Sequence, residues 1–397
     1  MHYDFETIPD RHGKYSMKYE WMRAANPDAP ADTIPFSIAD MEFKNPPQLV
    51  DGLKRYMDGS TLGYCITTDH YRQAICDWMS RRHGWKVEKE WILDYHTIVT
   101  GLFDIVDEFV GPDQGVILMT PVYGPFYSAV GGPGRRLVEN PLLYRNGRFE
   151  VDFEDLERKA RDPDNKLLIL CSPHNPVGRL WTREELTRIG RICIDNGVLI
   201  AADEIHADFI MPGGKHHVFA TLSEEFAQNC IIGTSPSKSF NMAGLQASSM
   251  IVPNREIRER LNKAHFNKGF TTLTALAYHG TVIAYTECEE WFDRMLDVIV
   301  RNRDLMKEYL EKNIPEIRAV PVEATYLQWL DCSGLGMTPD ELTVFMQKEA
   351  LLFFSEGPVF GDTGRGFERW NLACPTWALE APLERLKKAV DRRMGRG

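Results

Sequence analysis

Four short apolar runs, Val116–Thr120, Leu167–Cys171, Val198–Ala202 and Cys230–Thr234, punctuate the middle of the chain. None of them alternates apolar with polar residues. Each therefore needs cover on both faces, which is the demand of a central strand in a parallel sheet. The stretch between the second and third runs, "WTREELTRIGRICIDNG", supplies such cover. Thr182 and Glu185 are spaced as a capping box, Leu186, Ile189, Ile192 and Cys193 recur at helical spacing, and Gly197 can close the helix. Strand, helix and strand make a βαβ crossover, so the fold class is α/β with a mostly parallel central sheet flanked by helices.

The texture changes near Glu287, where "EEWFDRMLDVIVRNRDLMKEYLEKN" reads as one long helix. A β-rich stretch, "ATYLQWLDC", and a capped helix opening "TPDEL" follow it. This predicts a large domain over residues 50–286 and a smaller α+β domain built from 1–49 together with 287–397. A chain of 397 residues is long enough for two such units. The net charge of −11 argues against nucleic acid as a partner, because phosphate backbones call for a basic surface. No apolar run approaches the length needed to span a bilayer. Eight cysteines are scattered without a CxxC pair, several inside apolar runs, which reads as reduced thiols in a cytoplasmic protein.

Ligands of open parallel sheets bind beyond the carboxyl ends of the strands. The residues that follow the four runs are Tyr123 in "PVYGPF", Asn175 in "SPHNPVG", Asp203 and His206 in "DEIHAD", and Lys238 in "SPSKS" with Ser235 and Ser237. "TIVTGL" places Thr100 and Gly101 at the start of a further helix, a natural seat for a phosphate. Alone, each has a bland reading: a turn, a packing tyrosine, a solvated loop lysine. His206 with His216 and His217 lacks the spacing and cysteine partners of a metal site, and neither a Walker loop nor a GxGxxG fingerprint is present. What demands explanation is the whole set on one sheet edge. It suits a pyridine aldehyde bearing a phosphate. The lysine forms the Schiff base, the carboxylate faces the ring nitrogen, the aromatic stacks, the amide meets the phenolic oxygen, and hydroxyls with helix N–H groups hold the phosphate.

Motifs along nearly the whole chain carry a resemblance: "YDFETIPDR", "IADMEFKNPP", "LGYCITTDHYRQAICDWMSRRHGW", "SPHNPVGRLWTREEL", "DEIHADFI", "SPSKSFNMAGLQ", "ATYLQWLD" and "ERWNLACP". The chain resembles fold-type I, pyridoxal-phosphate-dependent enzymes of the class I/II aminotransferase superfamily, and within them the cystathionine β-lyase-like carbon–sulfur lyases. The resemblance implies pyridoxal 5'-phosphate on Lys238, Asp203 at the ring nitrogen, and Asn175 with His206 near the phenolic oxygen. It implies Tyr123 against the ring, and Thr100, Gly101, Leu102, Ser235 and Ser237 around the phosphate. It also implies a homodimer with shared active sites, in which Tyr64 reaches the phosphate of the other subunit. By the same resemblance, Arg369 binds the substrate α-carboxylate beside Ala39, with Asn175 and Tyr123 also at the substrate. Two departures stand out. Gln246 occupies the place of a phosphate-clamping arginine, and "YHTIVTGL" lacks the usual Pro-Gly turn. Three readings stay open: a β-lyase giving pyruvate, ammonia and a thiol from S-substituted cysteines, a broad-specificity aminotransferase, and a regulatory protein retaining the fold.

Overall fold

The computed structural model describes residues 3–270 and 272–396. Seven strands form the main sheet: β1 (Ile92–Tyr95), β2 (Gly115–Thr120), β3 (Arg136–Pro141), β6 (Asn165–Cys171), β7 (Leu199–Asp203), β8 (Cys230–Thr234) and β9 (Ser248–Ile251). A small hairpin, β4 (Leu143–Arg145) with β5 (Arg148–Glu150), lies outside it. The sheet order is β1-β9-β8-β7-β6-β2-β3. The five strands from β3 to β8 run parallel, β9 is reversed against β8, and β1, antiparallel to β9, returns to the common direction at the edge. Strand β7 ends on Asp203, one residue later than the apolar run suggests, because its last hydrogen-bonded register pair is Cys171 with Asp203.

The uniform apolarity of the strands is explained by what covers them. Ile117, Met119, Leu168, Leu170, Ile200 and Ile232 belong to one packed cluster, and Val116, Leu118, Leu167, Ile169, Ala201 and Ile231 to another. Successive residues thus enter opposite cores, as the period of two requires. The crossover helix Arg183–Asp195 opens with the expected capping box: Glu185 N–H donates to Thr182 Oγ1 at 3.1 Å, and Thr182 N–H to Glu185 Oε2 at 2.8 Å.

A second, antiparallel sheet has the order β10 (Arg318–Ala319), β11 (Leu327–Asp331), β13 (Phe367–Asn371), β12 (Ser355–Glu356). It follows the long helix Glu289–Asn313. The N-terminal segment is tied to this part of the chain: Asn371 N–H donates to Phe36 O at 3.0 Å and Glu42 N–H to Ala373 O at 2.8 Å. The same segment meets the lysine-bearing loop, where Asn241 Oδ1 accepts from Met41 N–H at 2.9 Å.

A buried charge network fixes the segment. Lys18 Nζ lies 2.8 Å from Glu42 Oε1 and 3.0 Å from Asp40 Oδ1, and both Lys18 and Glu42 are only 1% exposed. Tyr19 donates its hydroxyl to Glu42 Oε2 at 3.1 Å, and Arg11 bridges Asp40 and Glu42. Removing one partner of such a pair strands a buried charge. Lys18→Met should therefore lower the unfolding free energy by about 3 kcal/mol, the low end for buried pairs because Arg11 and Tyr19 stay on Glu42. Chemical denaturation measures this, and a loss under about 1 kcal/mol would show that the network does not depend on Lys18.

Candidate active site

Lys238 sits in the four-residue helix Pro236–Ser239 that follows β8. Ser235 caps it: its Oγ accepts from Ser237 N–H at 3.1 Å, donates to Ala247 O at 2.6 Å and lies 2.7 Å from Ser237 Oγ. The Lys238 amine donates to Ala39 O at 2.7 Å. Burial, with the Arg369 cation adding to it, brings its pKa down to about 8. The neutral amine, which a nucleophile or base requires, is then far more accessible near physiological pH than for an ordinary lysine.

Asp203, at the tip of the adjacent β7, is buried, and its Oδ1 accepts from Ile205 N–H at 3.0 Å. Burial pushes this carboxyl up to about 7 despite the nearby lysine. His206 is buried too, and its Nδ1 has no hydrogen-bond partner among the described residues. Burial, then the positive Lys238 and Arg369, hold its imidazole far on the neutral side.

Arg369 enters from β13 of the second sheet and is 4% exposed. Its Nη1 donates to Asn175 Oδ1 and its Nη2 to Ser355 Oγ, both at 3.0 Å, and the guanidinium lies 4.8 Å from the centre of the Phe360 ring. No carboxylate among the described residues pairs with it, and burial lowers its pKa to about 10. A buried guanidinium bonded only to neutral groups is a receptor for an anion. Because Asn175 presents Oδ1 to Arg369, its Nδ2 remains to donate elsewhere.

Lys238, Asp203, Asn175 and His206 share one cavity of about 260 Å³, whose wall also includes Tyr123 and Ala39, and Arg369 stands behind that wall on Asn175. Burial raises the Tyr123 phenol above its ordinary range, so it is neutral. Ser237 also lines the cavity, whereas Ser235 stands behind it with its hydroxyl committed to Ser237 and Ala247.

Thr100, Gly101 and Leu102 do not line this cavity. The helix begins at Ile98, with Thr97 as its cap, so the wall is His96, Thr97, Ile98 and Val99. Thr100 is turned back on the cap, donating to Thr97 O at 2.7 Å. Gly101 faces Met250, which a Cβ at Gly101 would meet at 2.1 Å, and Leu102 is buried. The reason is a Thr-x-x-Thr capping box at 97 and 100, which starts the helix ahead of Thr100. Gln246, in a left-handed conformation at φ 54°, lines the same end of the cavity with Ala247 and Ser248. Tyr64 lies elsewhere. It is fully exposed on the surface, flanked by Leu62 at 70% and Ile66 at 73% exposure.

The sequence pattern passes over several residues in and behind this wall. Ile205 is readable, since it stands two positions after Asp203. Cys171 is hidden as an ordinary strand end. Tyr326 and Asn371, which bond the stretch around Ala39, come from distant segments with no local signal. A wider recess of about 930 Å³ adjoins the cavity at Lys238, Ala39 and Ala243 and runs along the N-terminal segment past Arg11 and Tyr15.

The chain is 37% identical to cystathionine beta-lyase PatB of Bacillus subtilis, over 98% of this chain and 100% of that one. Among solved structures, cystalysin from Treponema denticola, which contains a pyridoxal 5'-phosphate cofactor, superposes with a TM-score of 0.97 at 43% identity, covering 99% of this chain and 100% of that one. The PLP-bound C-S lyase from Staphylococcus hominis gives 0.91 at 30% identity, covering 98% of each. The model of the family described as aminotransferase class I and II matches residues 31–375, and the chain belongs to that family.

Proposed function

We propose that the protein is a pyridoxal-phosphate-dependent carbon–sulfur β-lyase that cleaves S-substituted cysteines of the cystathionine type. The observation that carries the reading is one buried cavity lined by a lysine of lowered basicity and a carboxyl that is hard to ionise, with an arginine without a counter-ion bonded to Asn175 of its wall. The donor set fits the cofactor: an amine for its aldehyde, Asp203 for its ring nitrogen, and the unpartnered His206 and Asn175 Nδ2 for its phenolic oxygen. The bound cofactor supplies an electron sink for charge developed at the substrate Cα. For its phosphate we assign the helix start at Thr97, Ile98 and Val99 with Ser237, in place of residues 100–102.

The protein groups divide the remaining work. Arg369 takes the α-carboxylate in its fork, and Asn175 keeps that fork oriented. The neutral Lys238 amine removes the Cα proton and, as the ammonium, can return a proton to the departing sulfur. Asp203 keeps the cavity's charge balanced while negative charge moves toward the ring. The lysine belongs to the unit of residues 50–286 and the arginine to that of 1–49 and 287–397, so binding a substrate engages both. Unpaired cysteines suit a cytoplasmic setting, and the acidic net charge leaves nucleic acid out of the reading. The lyase reading draws on relatives named as lyases at 30 and 37% identity, and a putative aminotransferase from Clostridium difficile stands at 35%, so the turnover assay below separates the two readings. The homodimer draws support from the exposed row Leu62, Tyr64 and Ile66, an apolar edge that a second copy would cover.

Three outcomes are expected. Cystathionine alone should yield pyruvate, ammonia and a thiol, and borohydride should fix the cofactor on Lys238; turnover only with an added 2-oxo acid would make the enzyme an aminotransferase. Arg369→Lys should cut kcat/KM for amino acids roughly 10- to 100-fold, because a point charge loses one charge-assisted hydrogen bond. Unchanged kcat/KM would place the carboxylate elsewhere. Mixing Lys238→Ala with Tyr64→Ala subunits should restore activity, since a shared-site dimer then holds one site free of both lesions. Mixed dimers confirmed by mass but inactive would assign Tyr64 to its own subunit.

A further inference from the structure

Three successive carbonyls of the N-terminal segment are all hydrogen-bonded. Ile38 O and Asp40 O both accept from the side-chain amide of Asn371, at 2.9 and 2.6 Å. The carbonyl between them, Ala39 O, accepts from Lys238 Nζ at 2.7 Å and from the Tyr326 hydroxyl at 2.9 Å. The backbone is bent to bring this about. Ile38 has φ 43°, and Thr325, immediately before Tyr326, has φ 73°. Both are β-branched, for which this region is an outlier, and such strain persists only where the surroundings over-determine it. Thr325 is held by its N–H on Phe209 O at 2.8 Å and by Leu327 N–H on its Oγ1 at 3.1 Å. Tyr326 itself is wholly buried, its ring against Phe209 and His206.

A carbonyl oxygen has two lone pairs, and at Ala39 both are taken. Two donors on one oxygen turn their positive ends toward each other, so each weakens the hold of the other. We propose that the Ala39 carbonyl is the berth of the Lys238 amine whenever it is free, and that Tyr326 is a positioning residue which loosens this berth by donating to the same oxygen. This rests on the reading of Lys238 as the reactive amine. A lysine that must leave its berth to take a proton from substrate gains from a berth that is partly occupied. The charged and titratable groups facing the amine are Arg369, Asp203, Asp40, Lys18 and His206, and substitution at Tyr326 leaves all five in place.

The test is the basicity of Lys238 in the cofactor-free protein, read from the pH dependence of its trace acetylation by mass spectrometry, with exposed lysines as internal references. Tyr326→Phe keeps the ring and leaves Ala39 O bonded to Lys238, so no buried acceptor is orphaned and the fold should hold. The Lys238 pKa should rise by about half a unit, a roughly threefold slower acetylation at fixed pH below it. In the loaded enzyme the acidic limb of the pH profile for substrate α-hydrogen exchange should move the same way, with KM unchanged. Thr325→Gly, which relaxes the backbone aiming Tyr326, serves as a second variant with the same expected direction. An unmoved or lowered Lys238 pKa in both variants, with Lys238 still taking the borohydride label, overturns the inference and leaves the proposed function standing. Failure of the wild type to take that label on Lys238 overturns both.

Discussion

The side-chain amide of Asn371 is the fastening on which the site depends. By holding the carbonyls on either side of Ala39, it decides which way the carbonyl of Ala39 faces. Asn371 lies two residues beyond Arg369 on β13, so the strand that carries the guanidinium also fixes the segment that receives the lysine. Asn241, three residues after Lys238, grips the same segment from the other side through Met41. The segment is thus a strip of backbone sewn between β13 and the lysine-bearing loop. Lys18, Arg11, Asp40 and Glu42 stiffen it from behind.

Electrostatically the cavity is prepared for anions. A lysine amine of lowered basicity and a carboxyl that is hard to ionise line a small cavity, and the uncompensated Arg369 guanidinium stands behind it on Asn175, so the protein holds an excess of positive potential there. In water such charges would be quenched by solvent. Here they are worth more, and they cost stability until a carboxylate and a phosphate arrive. The lowered basicity of Lys238 comes from this imbalance: burial and Arg369 together favour the neutral amine. Binding and catalysis draw on one arrangement, since the arginine that waits for the substrate also keeps the lysine ready to react.

Much of this arrangement is legible in the amino-acid pattern. Both faces of the sheet are covered, so its strands appear as unbroken apolar runs, and the residues following them fall on one edge by topology alone. Lys238, Asp203, Asn175, His206 and Tyr123 are such residues, and the fold brings all five into one wall. The helix start that lines the cavity lies three residues ahead of where the pattern points, because Thr100 offers the same cap chemistry as Thr97 and only the hydrogen bonds decide between them. Ser235 has the look of a ligand, yet its hydroxyl is spent on supporting Ser237. Tyr326 and Asn371 give no sign at all. Their importance lies in meeting a carbonyl, and a backbone oxygen leaves no trace in the pattern of side chains. The reversed direction of β9 is equally silent, since short apolar strands look alike in either direction.

The two cores that flank the main sheet are unequal in reach. The one that takes Ile117, Leu168, Ile200 and Ile232 continues without a break through Phe209 and Tyr326 to Trp329 and Trp370 of the second sheet. The other, around Val116, Ile169 and Ile231, stays within the larger unit. Close-packed side chains resist shear, so the second sheet is welded to one face of the first rather than hinged on it. The recess past Tyr15 runs beside that joint to Lys238, so the cavity has a way in from the N-terminal segment that does not cross the shared interior.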